Sequence, residues 1–286
     1  RDLWPESITT VGAMAPSATI RLLARLERFA YRHADCIVSV TDSFVPRIAE
    51  GCGDPAKIAV VKNGVDLQFF NPAEPGGDLA ATLGIGGRFV AAYVGTHGMA
   101  HGLEVILRAA ERLRERRDIV FLMAGDGAER ERLVRLRDEL KLDNVLILGQ
   151  VPKQQVPALW GITDVSLVLL RNQPLFGMVL PSKMFEAMAM GCPVVLGVEG
   201  EASDVLKEAG AGLAIEPGNA RELAEAVLNL AHDPVLCRGL GAAGETHVRE
   251  HYDRSVLARR YIGILDAAIA RANGTSLPAA KVETAS

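Results

Sequence analysis

Residues 89–124 read FVAAYV, GTHGMAHG, LEVILRAAERLRERRD and IVFLMA in succession. The outer blocks, Phe89–Val94 and Ile119–Ala124, are continuous apolar runs. Such runs fit strands buried on both faces of a parallel sheet. Between them the glycine-rich loop Gly95–Gly102 leads into a helical stretch near 102–116. Two parallel strands joined through a helix require a right-handed crossover, the unit from which doubly wound folds are built.

The unit repeats downstream. Val145–Leu148 (VLIL), Val165–Leu170 (VSLVLL), Pro193–Gly197 (PVVLG) and Gly212–Ile215 (GLAI) read as further strands. Helices fall near 128–141, 153–161, 182–190, 201–209 and 220–232. This predicts an α/β fold with one complete doubly wound, Rossmann-like domain over 67–250. Upstream, residues 1–15 read as a loop-like opening. Helix 17–33 follows, with Ser17 as its N-cap. Then come strand Cys36–Val40, a helix from Asp42–Ser43 and strand Ile58–Val61. Two strands cannot cover both faces of a sheet, so 1–66 is read as the C-terminal remnant of a preceding domain. Residues 251–272 read as a long final helix. Residues 273–286 are small and polar, and a disordered tail is expected.

Of the 286 residues, 49% are hydrophobic but only 5% aromatic, so the core must be aliphatic. The formal net charge of -4 argues against nucleic-acid binding driven by overall charge. Cys36, Cys52, Cys192 and Cys237 form no CxxC pair or His/Cys cluster. That favours reduced thiols in a cytoplasmic protein and no structural zinc. No apolar run approaches the ~20 residues of a membrane span.

In a doubly wound fold, ligands bind at the carboxyl ends of strands. The Gly95–Gly102 loop, with Gly95, Thr96, Gly98 and His101 as candidate donors or contacts, is spaced unlike GxGxxG. It reads as a phosphate loop or as a tight strand-to-helix turn. Gly125-Asp126-Gly127 is short, and Asp126 is as good a turn former as a ligand contact. Gly149-Gln150-Val151-Pro152 offers backbone groups near Val151 for a base edge, or is an ordinary loop. The strongest segment runs from Pro181 to Pro193, PSKMFEAMAMGCP. Here Ser182 reads as an N-cap and Lys183 as the first helical residue. A lysine there faces the positive helix end, at a cost of about 0.3–1 kcal/mol that a bound diphosphate would reverse. The Glu186 carboxylate, one turn in, is placed to hold a ribose diol or simply favours the first turn.

Other chemistries find little support. Residues 171–185 contain no acid, so Glu186 lacks a local partner for paired-carboxylate hydrolysis. His97 and His101 share i,i+4 spacing without an HExxH frame or a third ligand, so no metal is expected. GxSxG is absent. In helix 17–33, Arg21, Arg25, Arg28 and Arg32 share one face, with Leu22, Leu26 and Phe29 on another. The basic stripe suits anionic lipid headgroups or a solvated outer face.

In this order, the loops resemble the C-terminal half of glycosyltransferase family 4, the retaining GT-B enzymes. The likeness runs from Ile58 to Tyr261. Asn63-Gly64-Val65-Asp66 is similar to the family's NGVD lead into its second domain. Glu186-Ala187-Met188-Ala189 with Gly191-x-Pro193 matches its E-A-M-A-x-G-x-P segment. The resemblance implies a donor nucleotide in the second domain, an acceptor in the first, and a final helix crossing back. Three positions depart from it. Met178 stands where a glutamate often precedes Glu186, and Thr96 and His101 replace an arginine and a lysine of the first loop. Asp2-Leu3-Trp4-Pro5-Glu6 and Pro181-Ser182-Lys183 resemble the branch that builds bacterial surface polysaccharides such as O-antigen, capsule and colanic acid.

The expectation is therefore retaining transfer of a sugar, in that branch often an N-acetylated amino-sugar. The donor would be a nucleotide diphosphate sugar, UDP-linked, and the acceptor a lipid-linked glycan. Lys183 and Glu186 would serve the reaction, with Asp2 and Glu6 on the acceptor side and no metal or other cofactor. The work would be done in the cytoplasm or at the inner face of the plasma membrane. Residues 1–286 alone are expected to be inactive. A GT-B-type UDP-sugar 2-epimerase and a non-catalytic sugar-nucleotide-binding protein are the alternatives.

Overall fold

The computed structural model describes residues 3–10, 12, 14–15, 17–72 and 79–273. In chain order the elements are α1 (Glu6–Thr10), α2 (Ala18–His33), β1 (Ile37–Ser39), α3 (Val45–Cys52), β2 (Ile58–Val60), α4 (Leu79–Thr82), β3 (Phe89–Val94), α5 (Glu104–Arg112), β4 (Ile119–Ala124), α6 (Arg130–Glu139), β5 (Val145–Leu148), α7 (Val156–Gly161), β6 (Val165–Leu169), α8 (Ser182–Ala189), β7 (Val194–Gly197), α9 (Glu201–Ala209), β8 (Gly212–Ala214), α10 (Ala220–His232), α11 (Pro234–His251) and α12 (Arg254–Ala272).

The chain forms two compact units. One combines the chain up to Gly64 with the chain from Arg254, and the other runs from Val65 to Asp253. In the larger unit, six parallel strands lie in the order β5-β4-β3-β6-β7-β8. The chain winds outward from β3 through β4 to β5, then returns to the other side of β3 for β6, β7 and β8. The reversal falls between β3 and β6, and doubly wound sheets bind ligands at the carboxyl ends of the strands beside such a switch point. The sheet is apolar because helices cover both faces. Every residue of β4 and β6 is buried. Against it α5 lays Val105, Ile106, Leu107, Ala109 and Ala110.

Local signals set the helix starts. Asn219 accepts from the N–H groups of Arg221 and Glu222 to begin α10, and Asp233 does the same for α11, followed by Pro234. The smaller unit pairs β1 with β2 in parallel, Ile37 facing Ile58. Ser17 caps α2 by accepting from the Ile20 N–H.

Several readings need correction. The opening segment is not all loop: α1 forms there, with the Thr9 and Thr10 hydroxyls donating back to the Glu6 carbonyl. The next helix, α3, starts at Val45 rather than at Asp42–Ser43, because Val45 N–H first closes a turn onto the Asp42 carbonyl. Ser182 is not an N-cap. Pro181 holds that place with φ -67° and ψ 115°, Ser182 is the first helical residue, and its side chain makes no capping bond. Lys183 is thus the second residue of α8. The tail 274–286 lies outside the described residues.

Candidate donor site

Three loops at the carboxyl edge of β3, β4 and β5 are laced together by backbone hydrogen bonds. Gly95 N–H donates to the Ala124 carbonyl at 2.9 Å, His97 N–H to Asp126 at 2.8 Å, Glu129 N–H to His97 at 2.9 Å and Gly125 N–H to Gly149 at 3.1 Å. Close approach demands glycine at 125. Its φ is 145°, and a Cβ there would lie 1.9 Å from the Gly95 carbonyl oxygen. Together the loops border an open cavity of about 590 Å³, lined by Gly95, Thr96, Gly125, Asp126, Gln150 and Val151 among others. The N–H groups of Thr96 and Gly98 make no hydrogen bond among the described residues. The Asp126 carboxylate accepts from the Gly127 N–H at 2.8 Å, so it shapes its own turn.

Lys183 reaches this edge from α8. Its Nζ donates to the Tyr93 hydroxyl at 2.7 Å, sits 3.9 Å from that ring's centroid, and lies 3.0 Å from where a Cβ on Gly95 would be. Tyr93 in turn donates to the Thr96 carbonyl at 2.7 Å. One buried hydroxyl therefore joins strand, glycine loop and lysine. The residue as a whole keeps some solvent contact, but its ammonium is desolvated, and burial pulls it down to about 7 against the opposing pull of Glu186. Glu186 is half-buried on the same helix.

The other candidates distribute differently. His101 does not line the cavity. Its Nδ1 lies 3.4 Å from the Leu169 carbonyl, its ring sits edge-on to Tyr93, and burial followed by the Lys183 charge lowers it to about 4. His97 is fully buried with neither ring nitrogen hydrogen-bonded, and desolvation, then the charges of Arg130 and Lys183, lower it to about 4 as well. Both rings are neutral at pH 7. Among the described residues no cluster of His, Cys, Asp or Glu is arranged to hold a metal. Glu6 pairs with Arg47 at 3.2 Å, and Asp2 lies outside the described residues. Arg21, Arg25, Arg28 and Arg32 are all exposed on α2. Leu22, Leu26 and Phe29, expected on a separate face, are exposed too, at 63%, 56% and 58%. No described helix is long and apolar enough to cross a membrane.

Sequence reasoning missed two residues. Tyr93 was hidden inside an apolar strand, where a tyrosine reads as core. Arg171 follows the apolar run 165–170 directly, and a charge at the carboxyl end of a buried strand is the signal that would have found it. It lines a second cavity of about 430 Å³ with Asn172, Met178, Glu199 and Gly200, over the ends of β6, β7 and β8.

Comparison with known proteins fits this geometry. The chain is 24% identical over 264 residues to WbjE of Pseudomonas aeruginosa, described as a probable glycosyltransferase, covering 91% of this chain but 65% of that protein. It thus spans less than two thirds of that relative's length. HepE of Anabaena, solved with UDP and glucose, superposes with a TM-score of 0.76 at 19% identity, covering 86% of this chain and 67% of that one. The C-terminal domain of a glycosyl transferase group 1 family protein from Francisella tularensis matches over all of its length and 67% of this chain, with a TM-score of 0.57 at 22% identity. The profile described as Glycosyltransferase Family 4 matches residues 7–69. The one described as Glycosyl transferases group 1 matches residues 80–247, more than half of the chain. The protein with the laced glycine loops and the Tyr93-held lysine therefore belongs to the group 1 glycosyl transferases, with the GT-B fold of glycosyltransferase family 4.

Proposed function

We propose that Val65–Asp253 binds a nucleoside diphosphate sugar, UDP-linked, as the donor of a retaining glycosyl transfer. The carrying observation is the convergence of the Gly95, Gly125 and Gly149 loops on one cavity, with the Lys183 ammonium at its Gly95 edge. Val151 and its neighbours border the part suited to a base. Thr96, Gly98 and the start of α8 offer N–H groups to a diphosphate, and Lys183 adds charge. Gly125 and Asp126 form the wall between, and Ser182 and Glu186 flank the lysine, with Glu186 toward the ribose. His101 acts from behind the loop. UDP in the solved structure of HepE supports the choice of base.

The sugar proposed is an N-acetylated amino-sugar, passed to a lipid-linked glycan in bacterial surface polysaccharide synthesis, with Asp2 and Glu6 on the acceptor side. The arginine face of α2 is proposed to meet anionic lipid at the cytoplasmic surface. Residues 1–286 are expected to bind donor without turning it over. Calorimetry of the chain with UDP, GDP and their sugars tests the reading: heat with UDP-sugars is expected, and silence with every nucleoside diphosphate would sink it. A longer protein that epimerised UDP-sugar with no acceptor present would shift the assignment to the 2-epimerase.

A further inference from the structure

Arg171 is a cation for which the donor reading has no role. Most arginines of α5 and α6 sit against carboxylates: Arg108 and Arg132 meet Glu104, and Arg137 meets Asp138. Arg171 is exposed and makes no ion pair among the described residues. Its backbone is fixed, since its N–H donates to the Ala100 carbonyl at 2.9 Å. Its Cγ lies 3.2 Å from where a Cβ on Gly102 would be. Lys183 holds the same relation to Gly95. The two cations therefore bracket the glycine loop, one at each end.

Their position follows from the sheet order. The first cavity lies over the ends of β5, β4 and β3, and the second over β6, β7 and β8. The Gly95–Gly102 loop crosses the switch point between them. A nucleoside diphosphate sugar has the same three-part order: base and ribose, two phosphates, sugar. A diphosphate carries at least two negative charges, and neither Thr96 nor neutral His101 offsets one. Lys183 stands at the Gly95 end and Arg130, the other charge near this loop, at Gly149 on the β5 side, so the phosphate toward β6 is under-compensated.

We infer that Arg171 is the second diphosphate-binding cation of this site, gripping the sugar-bearing phosphate from the β6 end of the glycine loop. A guanidinium presents a planar fork of donors suited to two phosphate oxygens, and its charge-assisted bonds are stronger than neutral ones. The inference rests on the donor reading above and adds the residue that holds its distal phosphate.

The test is calorimetric titration of the 286-residue chain with UDP, UMP and uridine. Arg171→Ala is expected to weaken UDP by about tenfold or more while leaving uridine and UMP within about twofold. Arg171→Lys should recover part of the loss. Because the side chain is exposed, the melting temperature of either variant should match the parent. If the parent binds UDP and Arg171→Ala binds it equally well, the role of Arg171 is overturned and the donor reading survives. Equal weakening of uridine and UDP also overturns it, since Arg171 would then shape the pocket without meeting the phosphate. A parent that binds none of the three overturns the donor reading and this inference with it.

Discussion

Lys183 Nζ lies 2.7 Å from the Tyr93 hydroxyl and 3.9 Å from the centroid of the same ring. The phenol is a neutral partner, so it orients the ammonium without neutralising it. Burial then sets the lysine near 7, where a change in its surroundings has a large effect.

That value fixes the pH dependence of donor binding. A diphosphate beside Lys183 favours the charged form and raises its pKa, so binding above pH 7 must take up a proton. The lysine's share of UDP affinity is expected to be full below pH 7, about halved at pH 7, and to fall by up to about tenfold per unit toward pH 9. Without ligand the sign reverses: the unfolded chain holds this proton up to about 10.5, so the lysine's contribution to stability rises with pH above 7. Calorimetry at pH 7 and pH 9, in buffers of different ionisation heat, reads the proton directly. Lys183→Arg should flatten the profile, and equal affinities at the two pH values for the parent would refute the assignment.

Tyr93→Phe leaves the Thr96 carbonyl and the Lys183 ammonium without their shared partner. The expected cost is about 1–3 kcal/mol in urea unfolding, since two part-buried hydrogen bonds are lost, one of them to a charged group. UDP binding should weaken as well, because the loop and the lysine lose their common tether. A variant as stable as the parent, with unchanged UDP affinity, would show the hydroxyl to be dispensable.

The sheet was legible because burial on both faces writes itself as unbroken apolar runs, as in VSLVLL and IVFLMA, and those runs sit in the structure where the sequence places them. The glycine loops were legible because a turn at φ 145° admits little else. The Tyr93–Lys183 bond was not, since it joins residues 90 apart and nothing local distinguishes this tyrosine from core. The start of α8 was misread by one position because an extended proline can end the approach to a helix as well as a capping serine can. For α2, periodicity identified an apolar stripe at Leu22, Leu26 and Phe29 but not which side of the helix packs inward. Gly51 and Tyr31 show that side: a Cβ on Gly51 would lie 2.9 Å from the Tyr31 ring.

Acid should destabilise the chain through two histidines. His97 and His101 both fall from 6.5 to about 4 in the fold, burial being the first cause in each. Between those values the unfolded chain binds protons that the folded chain refuses. Their contribution to stability is therefore lost as pH falls from 6.5 toward 4. His97→Leu removes a ring whose nitrogens have no partner, so it should cost little at pH 7 and make the acid slope shallower. Melting curves at pH 7, 5.5 and 4.5 check this, and a slope indifferent to both histidines would contradict it.

Gly125→Ala should be among the most damaging small substitutions in the chain. The new Cβ meets the Gly95 backbone, which cannot rotate away, and φ of 145° strains any L side chain. A loss of about 3 kcal/mol or more is expected, because the lacing between two loops must open. Gly263→Ala in α12 is the matched control. Nothing lies within 4 Å of its Cβ, and helix propensity alone should stabilise by about 0.5–1 kcal/mol. Chemical denaturation of both variants reads the contrast, and similar changes in the two would mean that the loops are not locked together.

The exposed face of α2 makes a separate prediction. Four arginines at 21, 25, 28 and 32 flank three exposed apolar side chains on one helix, the composition of an interfacial helix. Each arginine near an anionic surface contributes about 1 kcal/mol, and that share is screened by salt. The chain should sediment with vesicles containing anionic lipid but not with zwitterionic ones, and less so at high salt. Changing the four arginines to Gln should abolish sedimentation without altering UDP binding, because α2 belongs to the unit that excludes Val65–Asp253. Changing Leu22, Leu26 and Phe29 to Ser should weaken it at every salt concentration, since that share is apolar. Sedimentation that ignores lipid charge, or that persists in the Gln variant, would leave the arginines as an ordinary solvated face.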